Sequence, residues 1–167
     1  PRPWHTWAML EGLHLIHFPD GPPQGDIPAW QRGLVLGTCQ RHLACDFHMG
    51  PAPWCPVILE KGEYLKGQDA YRFLLQVLCG LKSRMQGENE IVGQFKDAYR
   101  AYLACAARDT QLMTILERLF KDAKEVRTQH LKTVGQQSYA GITRRLLKER
   151  APGAPVLVLG SGALARD

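Results

Sequence analysis

Apolar positions along this chain follow two rhythms, and the switch between them near Gln68 organises it. Upstream, the apolar runs are short and cut by proline and glycine. Leu13 to Phe18 is one such run, carrying two histidines and followed by the breaker Pro19-Asp20-Gly21-Pro22-Pro23-Gln24-Gly25, which predicts a strand and then a loop. Leu34 to Leu36 and Leu43 to His48 predict two further strands, and Val57 to Glu60, bounded by Pro56 and Lys61-Gly62, predicts a fourth.

From Gln68 the spacing becomes helical. Ala70, Phe73, Leu74, Val77, Leu78 and Leu81 share one face, with a stop expected near Gly80 to Ser83. A second helix is predicted from about Glu88, striped by Ile91, Phe95, Ala98 and Tyr102. Asp109-Thr110 opens a third, whose apolar face carries Leu112, Ile115, Leu116, Leu119, Phe120, Ala123 and Val126. A fourth spans about Gln137 to Glu149. A β-rich first third followed by helices predicts an α+β fold, a small mixed or antiparallel sheet packed with several helices.

Beyond the last helix, Ala151-Pro152-Gly153-Ala154-Pro155 carries no helix or strand signal and reads as a stiff linker. Val156 to Leu159 is an apolar strand running into Gly160-Ser161-Gly162-Ala163-Leu164-Ala165. This is how a dinucleotide-binding βαβ unit opens: glycines let the backbone approach a pyrophosphate seated on a helix N-terminus, and alanine is tolerated at the third position. The expectation is one domain over 1–150, then a linker and the first strand of a truncated Rossmann-type domain over 151–167.

Charge and cysteine usage add the setting. The 167 residues hold 21 Lys and Arg against 16 Asp and Glu, a net charge of +5 that suits contact with a polyanion without demanding it. Five cysteines without a CxxC pair are not a disulfide framework and fit a reducing cytosol. No apolar run approaches the roughly 20 residues of a membrane helix, and the Pro1-Arg2-Pro3-Trp4-His5 start lacks the apolar core of a signal peptide. A soluble cytoplasmic protein with no membrane partner is expected.

Where the strand from Leu34 ends, the chain reads Thr38-Cys39-Gln40-Arg41. A thiol at a strand end, two residues before a guanidinium, has access and a cation that lowers its pKa toward the nucleophilic thiolate. The other reading of Cys39 alone is a small buried hydrophobe. Cys39, His42, Cys45 and His48 form a ladder of soft ligands, but strand alternation sends the two cysteines to one face and the two histidines to the other, so no metal site is expected.

Five segments together resemble the glutamyl-tRNA reductase family: Thr38 to Arg41, Gly80-Leu81-Lys82-Ser83, Gly87-Glu88-Asn89-Glu90-Ile91-Val92-Gly93-Gln94-Phe95-Lys96-Asp97-Ala98-Tyr99, Val126-Arg127-Thr128, and Val158 to Gly162. Their order and spacing match over most of positions 34 to 165. The resemblance implies an NADPH-dependent reduction of glutamyl-tRNA to glutamate-1-semialdehyde, the step that opens tetrapyrrole (porphyrin and heme) synthesis from glutamate. It implies Cys39 as the nucleophile that forms an enzyme thioester. It also implies Arg41 as a clamp for the substrate carboxylate, with Thr38, Gln40, Ser83, Glu88, Asn89, Glu90 and Gln94 as further substrate contacts. Gly160, Ser161, Gly162, Ala163, Leu164 and Ala165 match the NADPH phosphate loop. The implied partners are glutamyl-tRNA and glutamate-1-semialdehyde aminotransferase, with a homodimer for the intact protein and a monomer for the present chain.

Several positions depart from the family pattern. Gln40 replaces an Asn, Leu43 an acidic residue, and Lys82 stands where Asp is common. Phe73 occupies the place of a histidine that the resemblance puts near the reactive cysteine, and Phe cannot transfer a proton. His42 and His48 are the imidazoles nearest in sequence. A degenerate homologue that binds tRNA or a partner protein without reacting is the alternative function.

Overall fold

The computed structural model describes residues 9–19, 21, 33–38, 41–132, 134, 139–155 and 157. Four strands, β1 (Leu13–Phe18), β2 (Leu34–Gly37), β3 (His42–Phe47) and β4 (Glu63–Lys66), form one sheet in the order β2-β3-β1-β4. Every neighbouring pair is antiparallel, which decides between the mixed and antiparallel expectations. The register places Phe18 opposite His42 and His17 opposite Glu63.

The fourth strand expected at Val57–Glu60 is instead a helix, α1 (Pro56–Lys61), and the strand follows it at Glu63–Lys66. A short apolar run between breakers does not separate a strand from a buried helical turn by periodicity. Pro56 in the first turn decides it, because its ring presets a helical φ where no N–H is needed.

Alternation along the strands gives the sheet two apolar faces. Leu13, Leu15, Leu34, Leu36, Leu43 and Cys45 enter the larger core, which α2 (Gly67–Leu78), α3 (Glu90–Leu103) and α4 (Thr110–His130) complete. Ile16, Phe18 and Ala44 point the other way, onto Ile58 of α1 and onto Trp54 just before it. In α2 the buried residues are Ala70, Phe73, Leu74, Val77 and Leu78, at the predicted helical spacing. Leu81, expected on the same face, is 39% exposed because the helix ends at Leu78 and Gly80 turns the chain away.

α4 begins where Asp109 accepts the Leu112 N–H at 2.9 Å, a cap that satisfies one of the first-turn donors left without a partner inside the helix. α5 (Tyr139–Arg150) follows as the fourth long helix. Among the described residues no helix is long and apolar enough to cross a membrane. The glycine turn from Gly160 to Ala165, all but one residue of the apolar run before it, and both Cys39 and Gln40 lie outside the described residues.

Candidate functional site

The β2–β3 hairpin carries the first part of the site. Gly37 lies opposite His42, and the Thr38 N–H donates to the Arg41 carbonyl at 2.8 Å, fixing both flanks of the turn. The Thr38 hydroxyl oxygen accepts the Arg41 N–H at 3.1 Å. Arg41 is 7% exposed, and its guanidinium donates to the carbonyl of Lys82. It lines a cavity of about 350 Å³ together with His17 from β1, Glu63 from β4, Phe73 from α2, and Lys82 and Arg84 from the loop after α2.

That loop is held by its ends. The Gly80 carbonyl accepts the N–H groups of Gly87, at 3.1 Å, and Ser83, at 3.3 Å. Gly80 has φ +71°, and a Cβ there would lie 2.9 Å from the Glu88 backbone nitrogen, so only glycine fits. Arg127 of α4 closes the arrangement, donating to the carbonyls of Leu78 at 3.2 Å and Gly87 at 3.0 Å and to the Asn89 side-chain oxygen. Three motifs distant in sequence are thus one hydrogen-bonded unit. The motif around Arg127 was visible in the sequence; its bracing role was not.

The sequence-predicted contacts distribute unevenly around this unit. Thr38 and Arg41 hold the hairpin turn, and Ser83 is half-buried between Lys82 and Arg84. Glu88 is buried, and its charge opposes the loss of hydration at the Arg41 guanidinium. Asn89, at the N-terminus of α3, faces a different groove of about 810 Å³ between α3 and α4, which Lys96, Arg100, Lys121 and Lys124 also line. Glu90 and Gln94 lie one turn apart, as expected, but both are exposed and neither lines the Arg41 cavity. Cys39, Gln40 and Gly160 to Ala165 fall outside the described residues.

Two departures from the family pattern prove to be in contact. The Lys82 ammonium sits 4.8 Å from the Phe73 ring centroid, a cation over an aromatic face. On that ring also packs the His17 imidazole, centroid to centroid 4.9 Å. His42, nearer to Cys39 in sequence, shares the face of Ala44 toward α1, opposite the face of Leu43, while His48 is exposed. His17 is therefore the imidazole of the Arg41 cavity. Its signal was present in the sequence as a polar end to the Leu13, Leu15, His17 face of β1.

Burial shifts an imidazole at the cavity and a thiol in the core in opposite directions. Burial pushes the His17 pKa below 6.5, helped by the Arg41 and Lys82 charges and opposed by a 3.3 Å hydrogen bond to Glu63. Burial pushes the Cys45 thiol up to about 12, so that sulfur is core packing. Among the described residues no three His, Cys, Asp or Glu side chains converge as a metal site would require.

Comparison with known proteins fixes the family. Residues 24–130 match the family model described as glutamyl-tRNAGlu reductase, N-terminal domain. Glutamyl-tRNA reductase 1 of Pyrobaculum arsenaticum is 29% identical over 145 residues, covering 80% of this chain and 36% of that protein. The glutamyl-tRNA reductase of Neisseria gonorrhoeae is 33% identical over 150 residues, covering 78% and 35%. The solved glutamyl-tRNA reductase from Methanopyrus kandleri shares the fold, with a TM-score of 0.61 over 86% of this chain and 41% of that one, at 18% identity. The chain spans little more than a third of the length of these curated relatives. Because the matched stretch contains the hairpin turn, the glycine-hinged loop and Arg127 together, the chain belongs to the glutamyl-tRNA reductase family.

Proposed function

We propose that the intact protein reduces glutamyl-tRNA to glutamate-1-semialdehyde with NADPH, opening tetrapyrrole synthesis from glutamate, through a thioester on Cys39. The observation that supports this is the buried Arg41, which closes the turn containing Cys39 in sequence and lines a cavity with two further cations, Lys82 and Arg84. The Cys39 sulfur attacks the carbonyl carbon of the aminoacyl ester, the bond to the tRNA 3' oxygen breaks, and that oxygen leaves as a hydroxyl after gaining a proton. An ester is already activated, so a thiolate suffices. Arg41 binds the substrate carboxylate through its fork of donors. Thr38, Gln40, Ser83, Glu88, Asn89, Glu90 and Gln94 complete the contacts to glutamate and the tRNA end.

Gly160 to Ala165 would hold NADPH, which would supply the hydride for reduction of the thioester carbonyl to an aldehyde, with the Cys39 thiolate as the leaving group. In this reading residues 1–150 are the catalytic domain and 151–167 the linker and opening of the nucleotide domain. The protein works in the cytoplasm as a homodimer and passes its aldehyde to an aminotransferase. A second reading, a homologue that binds tRNA without reacting, draws support from Phe73 and Lys82, whose contact puts a ring and a cation where the family resemblance implies a histidine and an acid.

Mass spectrometry of the full-length protein mixed with glutamyl-tRNA separates the two. A glutamyl adduct on Cys39, abolished by Cys39→Ser, is the expected result. Bound tRNA with no adduct on the unaltered protein supports the non-reacting homologue, and an adduct that persists in Cys39→Ser overturns the assignment of the nucleophile.

A further inference from the structure

We propose that His17, oriented by Glu63, is the proton-transfer residue of thioester formation. The inference rests on the Cys39 reading above. Two features of the cavity carry it. First, His17 and Glu63 are directly opposed across β1 and β4, and the His17 Nδ1 lies 3.3 Å from a Glu63 carboxylate oxygen. An ionised carboxylate only accepts, so Nδ1 holds the hydrogen and Nε2 keeps its lone pair. Second, the imidazole is 12% exposed and lines the same cavity as Arg41, and among the described residues none bonds Nε2. An oriented base whose second nitrogen has no partner among the described residues, beside the guanidinium that the reading above assigns to the substrate carboxylate, is the arrangement that nucleophile activation requires.

The proton inventory closes without a further reagent. Nε2 takes the thiol proton of Cys39 as the sulfur bonds to the ester carbonyl carbon. The resulting imidazolium, stabilised by Glu63, returns the proton to the tRNA 3' oxygen as the carbon–oxygen bond breaks. Thiol and ester become thioester and hydroxyl, and the imidazole ends neutral. The charged groups facing His17 are Glu63 from β4, Arg41 from the turn before β3, and Lys82 and Arg84 from the loop after α2. Burial and the cations keep the ring neutral and able to accept at pH 7, while Glu63 makes its protonated form accessible during turnover.

Single-turnover formation of the glutamyl adduct on full-length protein tests this, with unchanged thermal unfolding as the control for folding. His17→Ala is expected to slow the adduct by about 100-fold or more, the low end of what general acid–base groups contribute. Added imidazole restores at least part of the rate, which no purely structural role predicts. Glu63→Gln acts through His17 and shifts the acid limb of the pH–rate profile, with a loss of about tenfold. An unchanged rate in His17→Ala, or a slowed rate that imidazole does not restore with an unmoved acid limb, overturns the assignment while leaving Cys39 in place. Absence of any adduct on the unaltered protein overturns the thioester reading itself, and His17 with it.

Discussion

His14 and His17 stand three residues apart on β1, both withdrawn from water and both with pKa values lowered by burial, but on opposite faces of the sheet. On the α1 side, His14 is fully buried and both ring nitrogens are engaged: Nε2 donates to the His48 carbonyl at 2.8 Å, and Nδ1 accepts from the Tyr64 hydroxyl at 2.6 Å. It ties β1 to β4 and to the end of β3. On the helix side, His17 has one nitrogen on Glu63 and turns the rest of its ring to a cavity. Burial and a shifted pKa are common to both, so neither marks a functional histidine. What separates them is that the second nitrogen of His17 has no partner among the described residues and the ring lines a cavity.

The largest effect that sharpens this contrast is on stability. His14→Ala strands the Tyr64 hydroxyl and the His48 carbonyl and opens space in the smaller core, a loss of about 2–4 kcal/mol. His17→Gln, at a cavity wall, costs about 1 kcal/mol or less. Urea unfolding of the two variants measures both, and adduct formation per folded molecule stays normal in the first. Equal losses of stability would erase the distinction between a structural and a chemical imidazole.

A smaller effect comes from the loop that brings Lys82 and Arg84 to the His17 cavity. Gly80→Ala places a Cβ against the Glu88 backbone in a left-handed conformation, a cost of about 1–3 kcal/mol. The same variant displaces the loop cations from His17 and Arg41, so weaker binding of glutamyl-tRNA accompanies the lost stability. His14→Ala, on the other face, leaves that binding unchanged. Normal binding by Gly80→Ala would show that the loop serves the fold and not the cavity.

How much of this was legible in the sequence follows from the range of each interaction. α2 and α4 were readable because helical spacing and the Asp109 cap are local. The Thr38–Arg41 turn was readable because its hydrogen bonds span three residues. His17 was not, and the reason is specific. Its partner Glu63 belongs to a strand that the local apolar pattern places at Val57–Glu60 instead, so the cross-strand pair has no second member in the sequence. Phe73 and Lys82 were visible separately as departures, but that one sits on the other depends on how α2 ends at Gly80.

The smallest effect is a pH dependence that the two histidines share in stability and divide in rate. Each has a folded-state pKa below its ordinary 6.5, so each is fully stabilising, in its neutral form, above pH 6.5. As pH falls below 6.5 the unfolded chain takes up protons that the folded chain refuses, and stability declines, by at most about 1.4 kcal/mol per pH unit for one such group. Around His14 the Lys66 and His48 charges add to this and Asp46 opposes it; around His17 the cations Arg41 and Lys82 add and Glu63 opposes. Unfolding midpoints between pH 7 and 5 therefore slope downward, and His14→Ala and His17→Gln each flatten part of that slope. The acid limb of adduct formation is expected to behave otherwise, because in the proposed step only the His17 lone pair takes up a proton. His14→Ala leaves that limb where it was. A limb that moved with His14 would tie the rate to folding instead of to the proton on His17.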